Sequence, residues 1–371
     1  MPSPHSRTPA SESGVPGTGP RGAGAAGGVN GWCWPVVLLA LLASKALLLV
    51  VARYAWGLEA LAYRWDGIHF IGVASHGYAS LEDAAFAPLY PLLIRLLASR
   101  GLPYWEAALL AGNLASLALA PALCALYTRR GALAAALFPT LLLYTTAPYS
   151  ASVALPLAAG GLALASWGMW GWASLLMGLA GLARYQLALL SLVLALAAAR
   201  RSWRGAAYML AAALAPGAAA ALIGLHYYGD PLIYLRAEAL WGAGLGIPFY
   251  SQVEWLLHSW FTGQAWTLGP IALKPWMWAA RNLGFYAVYI AGLPLLYRQG
   301  RTLELAWSAA VILLVASLTG VPAASAPRLL LPAFPAIAAL GERWRPGLGY
   351  AGASLVLTLF FLAWHMNSFL A

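Results

Sequence analysis

The sequence predicts an all-α polytopic membrane protein of the bundle type, and three observations carry that prediction. Hydrophobic residues fill 62% of the 371 positions, and charged residues only 9%. A soluble domain carries about 25% charged residues, so this chain has too few to cover a surface in water. Apolar runs of bilayer-spanning length recur along the chain, and no strands of about ten alternating residues suggest a β-barrel instead.

The elements follow in order. Residues 1–30 are rich in Pro, Gly, Ser and Ala with no apolar period, which predicts a disordered tail. Residues 31–371 are expected to form one transmembrane domain. Its first apolar run, Trp34 to Val51, lacks a small-residue cleavage site and reads as an uncleaved first helix. Residues 54–104 then form a first external loop. Further membrane helices are expected at about 105–127, 131–147, 149–167, 172–184, 186–199, 205–226, 281–297, 303–320, 326–341 and 348–366, for a total of about 10–11. Several are shorter than a straight span requires, so tilting, pairing or breaks are expected. Residues 228–281 carry Trp241, Trp255, Trp260, Trp266, Trp276 and Trp278, and read as an external segment skimming the membrane.

The net charge of +10 does not point to nucleic acid, because the basic residues sit in short clusters between apolar runs. Arg129 and Arg130, then Arg200, Arg201 and Arg204, then Arg298 and Arg301, then Arg343 and Arg345 mark one side as cytoplasmic. Under that topology Glu59, Asp66, Glu82, Asp83, Glu106, Asp230, Glu238 and Glu254 all fall on the opposite side, as do Arg184, Arg236 and Arg328. Ionisable groups near lipid are costly, so their convergence on one face predicts an external polar cavity rather than ordinary loop solvation. Cys33 and Cys124 lie in apolar segments with no CxxC or Cys/His neighbour, and read as two buried, inert thiols.

The densest polar cluster runs from Arg64 to Pro91. Ile68, Ile71 and Val73 are expected to lay a short helix along the membrane interface, with Asp66 held beside Arg64 and His69. A carboxylate there can take a proton from an acceptor hydroxyl, although a helix N-terminal Asp is the structural alternative. Glu82 and Asp83 together with Asp66 offer oxygen ligands for a divalent cation. No P-loop or Rossmann fingerprint follows a predicted strand, so no soluble nucleotide-sugar site is expected.

Arg64-Trp65-Asp66, Phe70, Gly77-Tyr78, Glu82 and Phe86-x-Pro88-x-x-Pro91 match, in order and spacing, the first external loop of a known family. The segment resembles the PIG-V family of GPI mannosyltransferases and their prokaryotic relatives, within the GT-C glycosyltransferases. Phe138-Pro139 followed by Thr146-Ala147-Pro148-Tyr149-Ser150 is similar to a second family stretch, with Ala151 or Ser152 where an acid is usual. Ala183-Arg184-Tyr185-Gln186 resembles its Arg-Ser-Asn-Gly turn. Gly229-Asp230-Pro231 through Glu238 to Trp241-Gly242 resembles a third, with Glu238 replacing Gln. The resemblance covers roughly Ala52 to Gly242, with a looser Arg328…Pro332 echo beyond it.

This resemblance implies a GT-C bundle whose catalytic face is external. It implies an inverting transfer of mannose from a polyprenyl (dolichyl) phosphate to a lipid-linked glycan or glycolipid hydroxyl, with Asp66 as the base. Arg328, Arg184 and Arg236, in that order, are the expected phosphate ligands, since a guanidinium fork matches phosphate oxygens. Arg64, Trp65, His69, Glu82, Tyr149, Gln186, Asp230 and Glu238 are expected to bind substrate, with Tyr78 and Trp241 stacking on a sugar ring or anchoring the loop. The mannosyltransferase branch is metal-independent, so no cofactor is expected. A partner subunit is compatible with the family's eukaryotic members. A transporter or flippase is the rival class, which inverted repeats and mid-bilayer charges would favour. Another sugar or a protein acceptor is the rival within the enzyme class.

Overall fold

The computed structural model describes residues 32–262, 266–268, 271–273, 275–344 and 347–367. The expected disordered tail at 1–30 lies outside the described residues. The fold is all-α, as the composition requires, apart from a short antiparallel hairpin pairing Trp266–Leu268 with Ile271–Leu273.

Among the described residues four helices are long and apolar enough to cross a membrane: α1 (Cys33–Ala55), the paired α5–α6 (Tyr104–Ser116 and Leu119–Leu126), α12 (Trp203–Tyr228) and α20 (Leu348–Asn367). Shorter apolar helices occupy several of the other expected positions. They are α8 (Pro139–Thr146) with α9 (Ala151–Ser166), α10 (Trp170–Ala183), α11 (Ala188–Ala199) and α16 (Thr302–Ala316). Between them run α7 (Arg129–Ala136) and α15 (Pro275–Arg298).

Two expected spans are broken, 131–147 and 326–341, and each break falls at proline. The first divides into α7 and α8, with Pro139 opening α8. Helices α8 and α9, expected as separate spans, bend by 119° across 147–150. Pro148 forces Ala147 into an extended conformation, with ψ at 155°, and so ends α8. The expected span at 326–341 splits into Ala326–Leu329 (α18), a 3₁₀ turn at Leu331–Ala333 and Phe334–Trp344 (α19), punctuated by Pro327, Pro332 and Pro335. Each break leaves polar backbone and side chains inside the bundle.

All eight residues of α8 are buried, and α9 and α19 are buried along most of their length. Small residues permit this density. A Cβ on Gly292 of α15 would lie 2.3 Å from the Ala336 carbonyl oxygen of α19, so only glycine lets these backbones approach.

The segment between α1 and α5, expected as a loop, is more structured than a connecting loop. It holds α2 (Leu58–Ala62), α3 (Asp66–His76), a 3₁₀ turn (Leu81–Ala85) and α4 (Leu89–Ala98). The expected interfacial helix exists as α3, but Ile71 and Val73 point into the protein and only Ile68 is exposed. In the 228–281 segment, α13 (Ile233–Leu240) and α14 (Tyr250–Thr262) flank a connection zipped to the end of α16. Gly246 donates to Ser317 at 2.7 Å, Phe249 to Ala316 at 2.8 Å, Thr319 to Gly244 at 3.0 Å and Val321 to Trp241 at 3.0 Å.

The cysteine expectation is corrected. Cys33 and Cys124 form a disulfide across 91 residues, with their α-carbons 5.9 Å apart. No local spacing could reveal it, because the pair meets only when the start of α1 packs against the end of α6. Both lie at the end of the bundle that carries Arg129 and Arg130, the end that the basic clusters assign to the cytoplasm, where a lasting disulfide is unusual. The wild-type thiols are expected to resist maleimide labelling until reduced. Reduction is expected to destabilise the protein by about 2–4 kcal/mol in thermal or denaturant unfolding, with Cys33→Ser insensitive to reductant.

Candidate active site

Asp66 opens α3, immediately after a residue in an unusual backbone conformation. Trp65 has φ 51° and ψ −122°, a region that L-residues rarely occupy and that costs roughly 1–3 kcal/mol. Two contacts hold it there. The Trp65 indole donates to the His365 carbonyl at 3.1 Å, and the Arg64 guanidinium sits 4.9 Å over the indole ring while its Nε donates to the same carbonyl. Gly67 completes the arrangement: a Cβ there would lie 2.1 Å from the Ala62 carbonyl oxygen and 3.2 Å from Pro148. The start of α3 is therefore wedged between the end of α2 and the break before α9.

The Asp66 carboxylate accepts a hydrogen bond from, and pairs with, the Arg328 guanidinium of α18. Arg328 also lies over the Tyr149 ring, at 5.3 Å. Its helix is fixed from behind. Asn282 donates to the Ala323 carbonyl at 2.9 Å, Gln252 donates to that same oxygen at 3.3 Å, and Trp307 donates to the Pro332 carbonyl at 2.7 Å.

Asp66, Arg328 and Tyr149 line a cavity of about 660 Å³. Its polar and aromatic lining brings together Trp65, Asp66, His69, Tyr149, Arg184, Gln186, Glu238, Trp241 and Arg328. Its apolar lining includes Ile68, Phe70 and Phe86 from the segment of Asp66, and Leu245, Leu314, Leu318, Val321, Pro322 and Leu329. Leu245 is 74% exposed at its rim.

Arg184, at the break between α10 and α11, is the group most clearly awaiting a partner. It is 8% exposed, and among the described residues its guanidinium has no hydrogen bond or ion pair. The Tyr149 hydroxyl and Arg328 Nε are likewise buried without a partner. Buried polar groups are normally satisfied, so this cluster is built to receive acceptor oxygens.

His69 forms one wall. It stacks on Phe86 at 4.6 Å, meets Trp241 edge-on at 5.9 Å, and contacts Asp83 at 3.3 Å. Burial opposes charge on Asp83, but the bonds from His69 and Ser80 hold its carboxyl below the usual carboxylate range. Glu238 forms the facing wall from α13. Burial pushes its carboxyl above the usual range, against the hydrogen bond from Tyr234 and the charge of Arg328.

Five expected site residues stand apart from the cavity wall. Arg64 acts behind Trp65. Tyr78 donates to the Phe86 carbonyl at 3.0 Å and leans on Tyr227, so it braces the loop. Glu82 is exposed. Asp230 and Arg236 pair with each other at 3.2 Å, with the Arg236 side chain 72% exposed, which separates Arg236 from the other two arginines. The imagined carboxylate trio does not converge: Asp66 faces Arg328 and Asp83 faces His69. Among the described residues no three His, Cys, Asp or Glu side chains gather as a cation site.

Sequence reasoning missed Tyr185 and Tyr234, which meet edge-on at 5.0 Å in the wall. The four-residue spacing of Tyr234 and Glu238 on one helix face was the available signal. It also missed His365, whose carbonyl orients Trp65 from 300 positions away.

Two outcomes are expected. Gly67→Ala should lower the thermal midpoint sharply, whereas Gly72→Ala, with open space around its Cβ, should leave it unchanged or raise it slightly. For Glu238, a raised folded-state pKa means that its contribution to stability is full below the ordinary value of 4.5 and is lost as pH rises through the raised value. Glu238→Gln should therefore gain thermal stability over wild type as pH rises from about 4 to about 8. A difference that is flat with pH would contradict the buried placement of this carboxyl.

Compared with known families and curated proteins, the chain matches no family model and no curated protein.

Proposed function

We propose that the protein is an inverting glycosyltransferase that moves mannose from a polyprenyl phosphate to a hydroxyl of a lipid-linked glycan or glycolipid. The observation that carries this reading is the cavity, whose wall joins the carboxylates of Asp66 and Glu238 and the guanidiniums of Arg184 and Arg328 to an extensive apolar lining. A donor made of a sugar, one phosphate and a long hydrocarbon chain has the same mixed chemistry. The motif resemblance supplies the sugar and the reaction class, and the positive-inside rule favours the non-cytoplasmic face of a multi-pass bundle for the cavity.

In this scheme the donor phosphate enters beside Arg184 and competes with Asp66 for Arg328. Phosphate oxygens suit the guanidinium fork, so donor binding draws Arg328 off the carboxylate and frees the base. The acceptor hydroxyl oxygen then attacks the anomeric carbon and its proton passes to Asp66. The bond from that carbon to the phosphate oxygen breaks with its electron pair, leaving polyprenyl phosphate. Fixed cations favour the charge that develops on the leaving group. Trp241 and Tyr149 present ring faces and edges to the sugar, and Glu238 and Gln186 offer hydrogen-bonding groups to its hydroxyls. The apolar wall from Leu245 to Leu329 takes the prenyl chain.

Purified protein given radiolabelled polyprenyl-phosphate mannose and native lipid extract tests the scheme. Asp66→Asn is expected to lower turnover by about 10²–10⁴-fold while still binding donor. Arg184→Met is expected to weaken donor binding by about 10–100-fold, the worth of a charge-assisted hydrogen bond. Equal transfer by wild type and Asp66→Asn would remove Asp66 from catalysis.

A further inference from the structure

Lys45 is buried in the middle of α1, 3% exposed, and among the described residues no carboxylate pairs with it. An ionisable side chain inside a membrane-spanning helix is costly and needs a reason. Its amine faces three neutral acceptors: the Thr145 carbonyl, the Thr146 hydroxyl at 3.4 Å and the Asn113 side-chain oxygen at 3.3 Å. Three acceptors match the three protons of an ammonium group. Asn113 in turn donates to the Thr146 carbonyl at 2.9 Å and to the Leu109 carbonyl at 2.8 Å.

Two of these acceptors, on Thr145 and Thr146, lie at the last turn of α8, and the third comes from α5. A helix end leaves its final carbonyls unpaired and carries partial negative charge, so a cation there both satisfies and stabilises it. Past Thr146 the chain turns through the 119° break, whose residues serve the cavity directly. Pro148 abuts Gly67, next to Asp66, and Tyr149 lies under Arg328. One short stretch therefore meets the residue after Asp66 and the guanidinium of Arg328, and its upstream end is held from α1 and α5.

We infer that Lys45, with Asn113, is a remote positioning residue that clamps the end of α8 and so sets the Pro148–Tyr149 corner against Asp66 and Arg328. The inference rests on the proposed active site for its importance to turnover, but the clamp itself is a statement about geometry. A purely structural role would be met by packing alone. The clamp instead predicts that loss of the amine moves one particular ring.

The test uses the full chain in nanodiscs with 3-fluorotyrosine at position 149, read by ¹⁹F NMR. Lys45→Met keeps most of the side-chain volume and removes the donors. Its resonance is expected to shift or split relative to wild type, and Asn113→Leu is expected to move it too, should Lys45→Met fold poorly. Leu41→Ala, one turn earlier in α1 and fully buried, is the control. It is expected to lower the thermal midpoint while leaving the resonance in place. A Lys45→Met spectrum that superimposes on wild type, or an equal movement in Leu41→Ala, would overturn the clamp. No substrate enters this measurement, so absence of mannosyl transfer by every protein would count against the reaction and leave the clamp standing.

Discussion

A carboxylate and a guanidinium 262 positions apart in the chain meet on the floor of the cavity, and the surrounding structure is organised around keeping them there. Side-chain exposures of 24% for Asp66 and 14% for Arg328 put the pair mostly out of water. Desolvation makes such pairs poor sources of stability, and well-packed apolar residues often do as well. A pair in this position therefore adds little to the stability of the fold. It is also incomplete, because Arg328 keeps an unpaired buried Nε and Arg184 has no partner among the described residues.

Each member of the pair is delivered by backbone that is not regular helix. Asp66 follows a residue at positive φ, and Arg328 sits in a four-residue helix between prolines. Irregular backbone exposes polar groups that lipid cannot satisfy, so it survives only when buried against protein or lining a cavity. The carbonyls near these breaks are accordingly capped by side chains. Asn282 and Gln252 serve Ala323, Trp65 and Arg64 serve His365, and Lys45 and Asn113 serve the end of α8.

The fold class was legible because bilayer thickness and hydropathy are properties of local sequence. The apolar runs at 105–127, 205–226 and 348–366 became helices within a few residues of their expected bounds. The site was legible in part. Asp66, Arg184, Glu238 and Arg328 were marked by being charged where charge is expensive, and they do converge. The same rule also picked out Asp230 and Arg236, which pair with each other away from the cavity wall, and a charge count cannot tell the two locations apart. The His365 carbonyl and the disulfide were invisible, since backbone carbonyls carry no residue signature and both depend on helices brought together across long separations.

The disulfide divides the polypeptide in a way that helix packing does not. It closes residues 33–124 into a covalent ring, which contains Asp66, Trp65 and the whole α3–α4 loop. Arg184, Glu238 and Arg328 all lie outside that ring. During synthesis the ring that bears Asp66 emerges first, and Arg184 and Arg328 are contributed later. The Asp66–Arg328 pair is therefore also a junction between an early, covalently closed unit and a later one that the continuing backbone and noncovalent contacts join to it.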